Sequence, residues 1–259
     1  MTAAVHPLTP LDGGALARLA EGAGALRTGL DALDRAEALR AGALTVVAGR
    51  ESAAVTALLE HLVLHVAASG TKVSWFSLVD PPLEVARRVV GRLSGAPRNA
   101  GAPSPDAVAA AWAALSDMPL RAYLRASLDA WELADAARSD GARLVVVHAL
   151  AALRPLPGDG DDRARTVAAL RALALESGVA VVAVGGVPAR ADAPPPAPWE
   201  VTPSAASACD ALALVDVPAL RASPRSVPPF PSLHVYVDGR LVPLVWDVAR
   251  DLVLSVAPS

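Results

Sequence analysis

An α/β fold is what this sequence predicts: a mostly parallel central sheet flanked by helices, with a C-terminal antiparallel β-hairpin. Three observations predict it. Strand-like and helix-like stretches alternate along the chain, the order that crossover helices on a parallel sheet produce. Several strand candidates are near-continuous apolar runs, as strands buried on both faces must be. Near the C-terminus, Asp238-Gly239 separates two apolar runs, and that dipeptide suits a tight hairpin turn.

Residues 1–12 read as loose and 13–23 as a short helix. Strands are expected at 43–48, 73–78, 144–147, 179–184, 211–216, 233–237 and 241–246. Helical patterns fill 53–68, 82–93, 105–115, 127–139 and 163–177. Two irregular stretches, 154–162 and 189–204, each follow a strand. Both should emerge at the C-terminal edge of the sheet, where open α/β sheets place ligands. A third, Pro-rich stretch at 223–232 precedes the hairpin, and no internal repeat is visible. The expected division is a segment at 1–25, one domain at 26–250 and a tail at 251–259.

The 259 residues suffice for one large α/β domain. With 53% hydrophobic but only 3% aromatic residues, its core must be built from Ala, Val and Leu. A net charge of -3 excludes a chain that coats nucleic acid through bulk positive charge. Cys209 is the only cysteine, so neither an internal disulfide nor a CxxC metal knuckle can form. The N-terminus shows no charged-then-apolar leader, and the apolar runs are too short to span a bilayer. A cytoplasmic protein without a membrane partner is the expectation.

Residues 49–56 read GRESAAVT, to be set against the phosphate-loop pattern G-x-x-x-x-G-K-[ST]. Gly49 and Thr56 fit its ends, and Arg50 and Ser52 lie between them. Ala54 stands at the second Gly and Val55 at the Lys. Ala54 brings a Cβ to a place where backbone amides close on phosphate, at a cost of about 1 kcal/mol if φ must be positive. Val55 offers no charge for phosphoryl transfer.

The ordered series LRTGLDALD, GALTVVAGRESAAVTALL, VSWFSLVDPPLEVARRVV, RLVVVHALAAL and DRARTVAALRALALESGVAVVAVGGV resembles the RecA-like motor domain of DnaB-type replicative helicases. RecA, RadA and KaiC are more distant relatives. The resemblance covers residues 26–250 and implies a RecA-like P-loop fold whose copies pack head to tail. It also places further departures. The family's activating Glu falls at Val79, with Asp80 following as a stand-in. The metal-site Asp falls at His148, and neutral imidazole is a poor Mg²⁺ ligand. The polar sensor falls at Gly185-Gly186. Arg240 keeps the place of a basic finger that reaches the neighbouring subunit. Arg154, Arg163, Arg165 and Arg190 border the loops that face DNA in the family, although Asp159, Asp161 and Asp162 share the first loop. Residues 8–21 resemble the linker helix laid on an adjacent subunit. No primase-binding domain precedes residue 26, so full helicase activity is not expected.

The resulting expectation is a catalytically inactive pseudo-ATPase, not an enzyme, with no catalytic residue, metal or cofactor and with ATP and Mg²⁺ poorly served. It would be a structural or regulatory subunit in DNA replication, recombination or repair. It would self-associate or dock on a RecA-like or other protein partner. Two alternatives stand beside it. One is a nucleotide-binding or weak NTPase that recruits Asp80, Arg50 or Arg240. The other is a non-hydrolysing DNA-binding accessory. His61 and His65, at i and i+4, could share a metal only with a third ligand that the sequence does not show.

Overall fold

The computed structural model describes residues 25–97, 101, 103–124, 126–158, 161–187, 195–201, 203–222 and 228–256. The expected N-terminal helix, Asp159 and Arg190 lie outside the described residues. A short helix α1 (Asp31–Arg35) leads into β1 (Leu44–Gly49), α2 (Ser52–Ala68), β2 (Val73–Ser77), α3 (Pro82–Ser94) and α4 (Pro105–Ser116). Then follow β3 (Leu120–Leu124), α5 (Ala130–Asp140), β4 (Leu144–His148), α6 (Asp162–Ser177) and β5 (Ala180–Gly185). Helix α7 (Pro203–Ala208), β6 (Ala211–Asp216), α8 (Pro218–Ala222), β7 (Ser232–Val237), β8 (Arg240–Asp247) and β9 (Leu252–Ser255) complete the order. Short 3₁₀ turns sit at Leu150–Ala152 and Pro198–Glu200.

These strands form one nine-stranded sheet in the order β3-β2-β4-β5-β1-β6-β7-β8-β9. The strands from β3 to β6 run parallel, and β7, β8 and β9 are added antiparallel. The expected fold class is therefore the observed one. At the β7–β8 turn, Asp238 and Gly239 have φ of 47 and 80. Those positive values are what a two-residue turn matched to strand twist requires, and Asp-Gly adopts them at low cost.

Two strands were not foreseen. Strand β3 is a half-exposed edge, and LRAYL carries neither a continuous apolar run nor a turn signal of its own. Strand β9 extends the sheet past residue 250, into the stretch read as a tail, and turns the expected hairpin into a three-stranded ribbon.

The core lies in two layers, one on each face of the sheet. Helix α2 is apolar nearly all round and buries residues from Ala54 to Ala67. Such a helix must be covered on more than one side. It packs against β1, β2 and β4 and is also met by β9. Helices α5, α6 and α7 cover the other face through Leu133, Leu170, Leu173 and Ala205.

Candidate functional site

The strand registers bring the ends of β1, β2, β4 and β5 to one sheet edge, because Ala48 aligns with Gly185 and Ser77 with His148. Gly49 ends β1 for a packing reason. A Cβ there would lie 2.8 Å from the Val215 carbonyl oxygen and 2.8 Å from Val55 Cγ2. Only Arg50 and Glu51 separate this strand from α2.

Ala54, Val55 and Thr56 therefore stand inside the start of a helix and not on a loop. The Val55 amide donates to the Glu51 carbonyl at 3.1 Å. Ala54 and Val55 are 0% and 3% exposed, so the side chain at the lysine position points into the apolar core. Among the described residues, positive φ outside glycine is confined to Glu37, Asp238 and Asp251. The strain expected at Ala54 is thus absent, because a helical residue has negative φ. Ser52 is exposed and Thr56 half-buried. Arg50 turns away from the helix start: its Nη2 donates to Glu200 Oε2 at 2.6 Å, with both side chains largely buried.

At the end of β2, Val79 is 44% exposed and carries no chemistry. Asp80, next to it, meets His148 from the end of β4, with Oδ2 and Nδ1 3.7 Å apart. The sequence proposed these two residues separately, and the fold brings them together. Burial holds His148 below the usual imidazole range; Asp80 works against that shift and Arg88 with it. Ser77, fully buried and in register with His148, leaves its hydroxyl without a hydrogen-bond partner among the described residues.

Asp80 is also one end of a buried ionic chain that sequence reading missed. Arg88 Nη2 donates to Asp80 Oδ2 at 2.6 Å and Arg88 Nε to Glu60 Oε1 at 2.6 Å. Arg92 Nε donates to Glu60 Oε2 at 2.9 Å, and its Nη2 lies 3.3 Å from Asp251 Oδ2. Asp251 Oδ1 accepts from Trp246 Nε1 at 3.0 Å. The chain thus runs from the site edge through α2 and α3 to the β8–β9 turn. Burial raises the Glu60 carboxyl above its ordinary value against the pull of both arginines. The available signal was Glu60 itself, a lone carboxylate in the apolar run LLEHLVL.

Of the arginines set beside the two loops, Arg154 pairs with Glu132 and with Asp129. Arg165 pairs with Asp162 and donates to the Leu156 carbonyl. Arg163 is exposed and has no ion pair among the described residues. Arg240 opens β8 beside the start of β6, where Leu212 N donates to Asp238 Oδ1 at 3.0 Å. That is the opposite edge of the sheet from Gly49, Asp80 and His148. His61 and His65 stack at 5.7 Å, and the His61 ring meets the Thr28 carbonyl at 3.0 Å. Among the described residues no group of three or more His, Cys, Asp or Glu could hold a metal ion. Cys209 is half-buried, and burial pushes its thiol up, away from a nucleophile's range.

No protein-family model matches the chain, and no curated protein matches it. Solved structures do. One, described as an ATPase domain, superposes with a TM-score of 0.77 at 15% identity, over 95% of this chain and 99% of that one. The fold is that of a RecA-like, DnaB-type ATPase domain. A DnaB-like replicative helicase, described with its interactions with primase, gives 0.77 at 15% identity over 95% of this chain and 67% of that one. A KaiC-like protein, PH0186 of Pyrococcus horikoshii OT3, gives 0.55 at 8% identity over 83% and 90%.

This likeness corrects one expectation. The residues at 49–56, 79 and 148 lead to the expectation of a non-enzyme. The structures that share the fold include an ATPase domain and a replicative helicase, and the edge where those residues gather holds a carboxylate and an imidazole side by side. A missing lysine removes one placed charge, which does not establish inactivity, and the expectation of a non-enzyme does not stand. Among the described residues no helix is long and apolar enough to cross a membrane.

Proposed function

We propose that this RecA-like domain acts as an assembling subunit in DNA replication, recombination or repair. It associates with copies of itself or with a RecA-like or other protein partner, and its role there is structural or regulatory. The observation that carries this reading is the state of residues 49–56. Val55 and Ala54 are core residues of a helix, and Arg50 is spent on Glu200. That stretch supports the interior of the domain, which leaves surfaces as the place where the chain meets others. Leu83, Trp112 and Leu175 are each more than 60% exposed. One matched structure is described by its interactions with primase; a protein partner is the part of that description carried over here.

The residues present do not fit a Mg²⁺-triphosphate. The lysine position is apolar and buried, and His148 replaces a hard oxygen donor. The test is sedimentation velocity at micromolar concentration, alone and with a DnaB-type ATPase domain. Sedimentation as a monomer in both arms would refute the proposal.

A second reading is favoured by the Asp80–His148 approach. A neutral imidazole near a carboxylate, here 3.7 Å away, can accept a proton, which suits an unorthodox nucleotide-hydrolysing site. Phosphate release from nucleoside triphosphates measures it. Turnover that His148→Ala lowers at least about tenfold supports this reading, and no turnover in any assembly state ends it.

A further inference from the structure

At the same sheet edge, but on the face covered by α6, lies a cleft of about 390 Å³. Its walls are Leu150, Leu153, Pro155 and Val167, and Gly185-Gly186 lies at the end of β5. Neither Asp80 nor His148 lines it. The cleft has the size and apolar lining of a small-molecule site, and it opens where parallel sheets place ligands.

Its polar groups are nearly all committed. Asp161, just outside the lining, accepts from the amides of Arg163 and Ala164 at 2.9 and 3.3 Å. Asp162 holds Arg165, and Thr166 Oγ1 donates to the Asp162 carbonyl at 2.9 Å. Arg163 alone among the lining side chains brings a charge with no ion pair among the described residues. A planar guanidinium beside an apolar cavity selects an anion that carries an apolar body.

We propose that this cleft binds a small amphipathic carboxylate, with its apolar body against Leu150, Leu153 and Val167 and its carboxylate on Arg163. Gly186 marks where the cleft can be closed. A Cβ there meets nothing within 4 Å, and its φ is not in the left-handed region, so Gly186→Leu is compatible with the fold and takes up the space.

The test is an amide chemical-shift titration of the full chain with octanoate, with 1-octanol as the neutral comparison. Octanoate should shift the amides of Val167, Gly185 and Gly186 and bind at least about tenfold tighter than octanol, the scale of a charge-assisted hydrogen bond. Arg163→Gln should remove that advantage while leaving octanol binding in place. Gly186→Leu should abolish both with an unchanged Tm. Equal binding of octanoate and octanol, or shifts confined to other residues, would overturn the proposal. So would displacement of octanoate by a single-stranded dT oligomer, which would mark the cleft as a base pocket.

Discussion

At Gly49, one residue type serves two arguments, and the structure separates them. The sequence presented it as the first position of a phosphate loop. Its observed environment is a close approach, with Val215 and Val55 both 2.8 Å from where a Cβ would be. Gly49→Ala should therefore destabilise the domain by about 1–3 kcal/mol, the usual cost of overpacking. Removing one of the two clashing groups should return part of that loss. In urea unfolding, Val55→Ala combined with Gly49→Ala should cost less than the sum of the two single changes; strict additivity would show that the contact is not limiting. His61 gives a second residue-scale prediction. Burial lowers its pKa to about 4 from 6.5. The folded state thus resists a proton that the unfolded chain takes up below 6.5. The corresponding stability is complete above pH 6.5 and lost progressively as the pH falls toward 4. His61→Gln should flatten the fall in Tm across that window, and the His61 ring in the native protein should titrate near pH 4 by NMR. The missing charge at Val55 was legible in the sequence. Its place in the core was not, because that depends on which side of the helix packs against the sheet.

The start of α2 shows how element boundaries decide chemistry. The sequence pattern begins the helix at residue 53 and so already places 54–56 inside it, while the match to GRESAAVT treats the same positions as a phosphate loop. The helix begins at Ser52, one residue earlier and after two connecting residues, and its packing against the sheet puts Ala54 and Val55 on the buried side. The long apolar strands were legible because burial on both faces leaves a continuous hydrophobic signature. Strands β3 and β9 were not, since edge strands are half-solvated and short. The ionic chain from Asp80 to Asp251 escaped for a related reason. Its members lie on the β2–α3 connection, α2, α3 and the β8–β9 turn, and only the packing of those elements makes them neighbours. Glu60, 1% exposed, sits between Arg88 and Arg92. Glu60→Gln leaves both cations short of countercharge in a buried place and should cost about 3 kcal/mol. Asp80→Asn, at the partly exposed end of the chain, should cost under about 1 kcal/mol. Equilibrium unfolding in urea, read by tryptophan fluorescence, checks this order; equal losses from the two variants would contradict it.

On the scale of the whole molecule, the sheet has two chemically different edges. One gathers Gly49, Asp80, His148 and the cleft beside Gly185. The other carries Arg240 past the β7–β8 turn. A subunit therefore cannot bring its own Arg240 to its own Asp80 and His148, since the strands hold them apart. Only a neighbour stacked with its Arg240 edge against this edge can do so. That geometry was partly legible: Asp238-Gly239 announced the turn and the alternation of elements a mainly parallel sheet, but the strand order and the edge on which the turn falls required the observed pairing, above all the register of β6 with β7. Under the association proposed above, head-to-tail stacking would bring the exposed Arg240 of one copy toward the Asp80 end of the ionic chain on the next. Arg240→Glu should weaken self-association about tenfold in sedimentation at low salt, by placing like charges in apposition. The difference should shrink as salt is raised. Because Arg240 is exposed, the Tm of the variant should match that of the parent chain. Association that is unchanged by Arg240→Glu would mean that the copies meet through another face, and the head-to-tail arrangement would have to be given up.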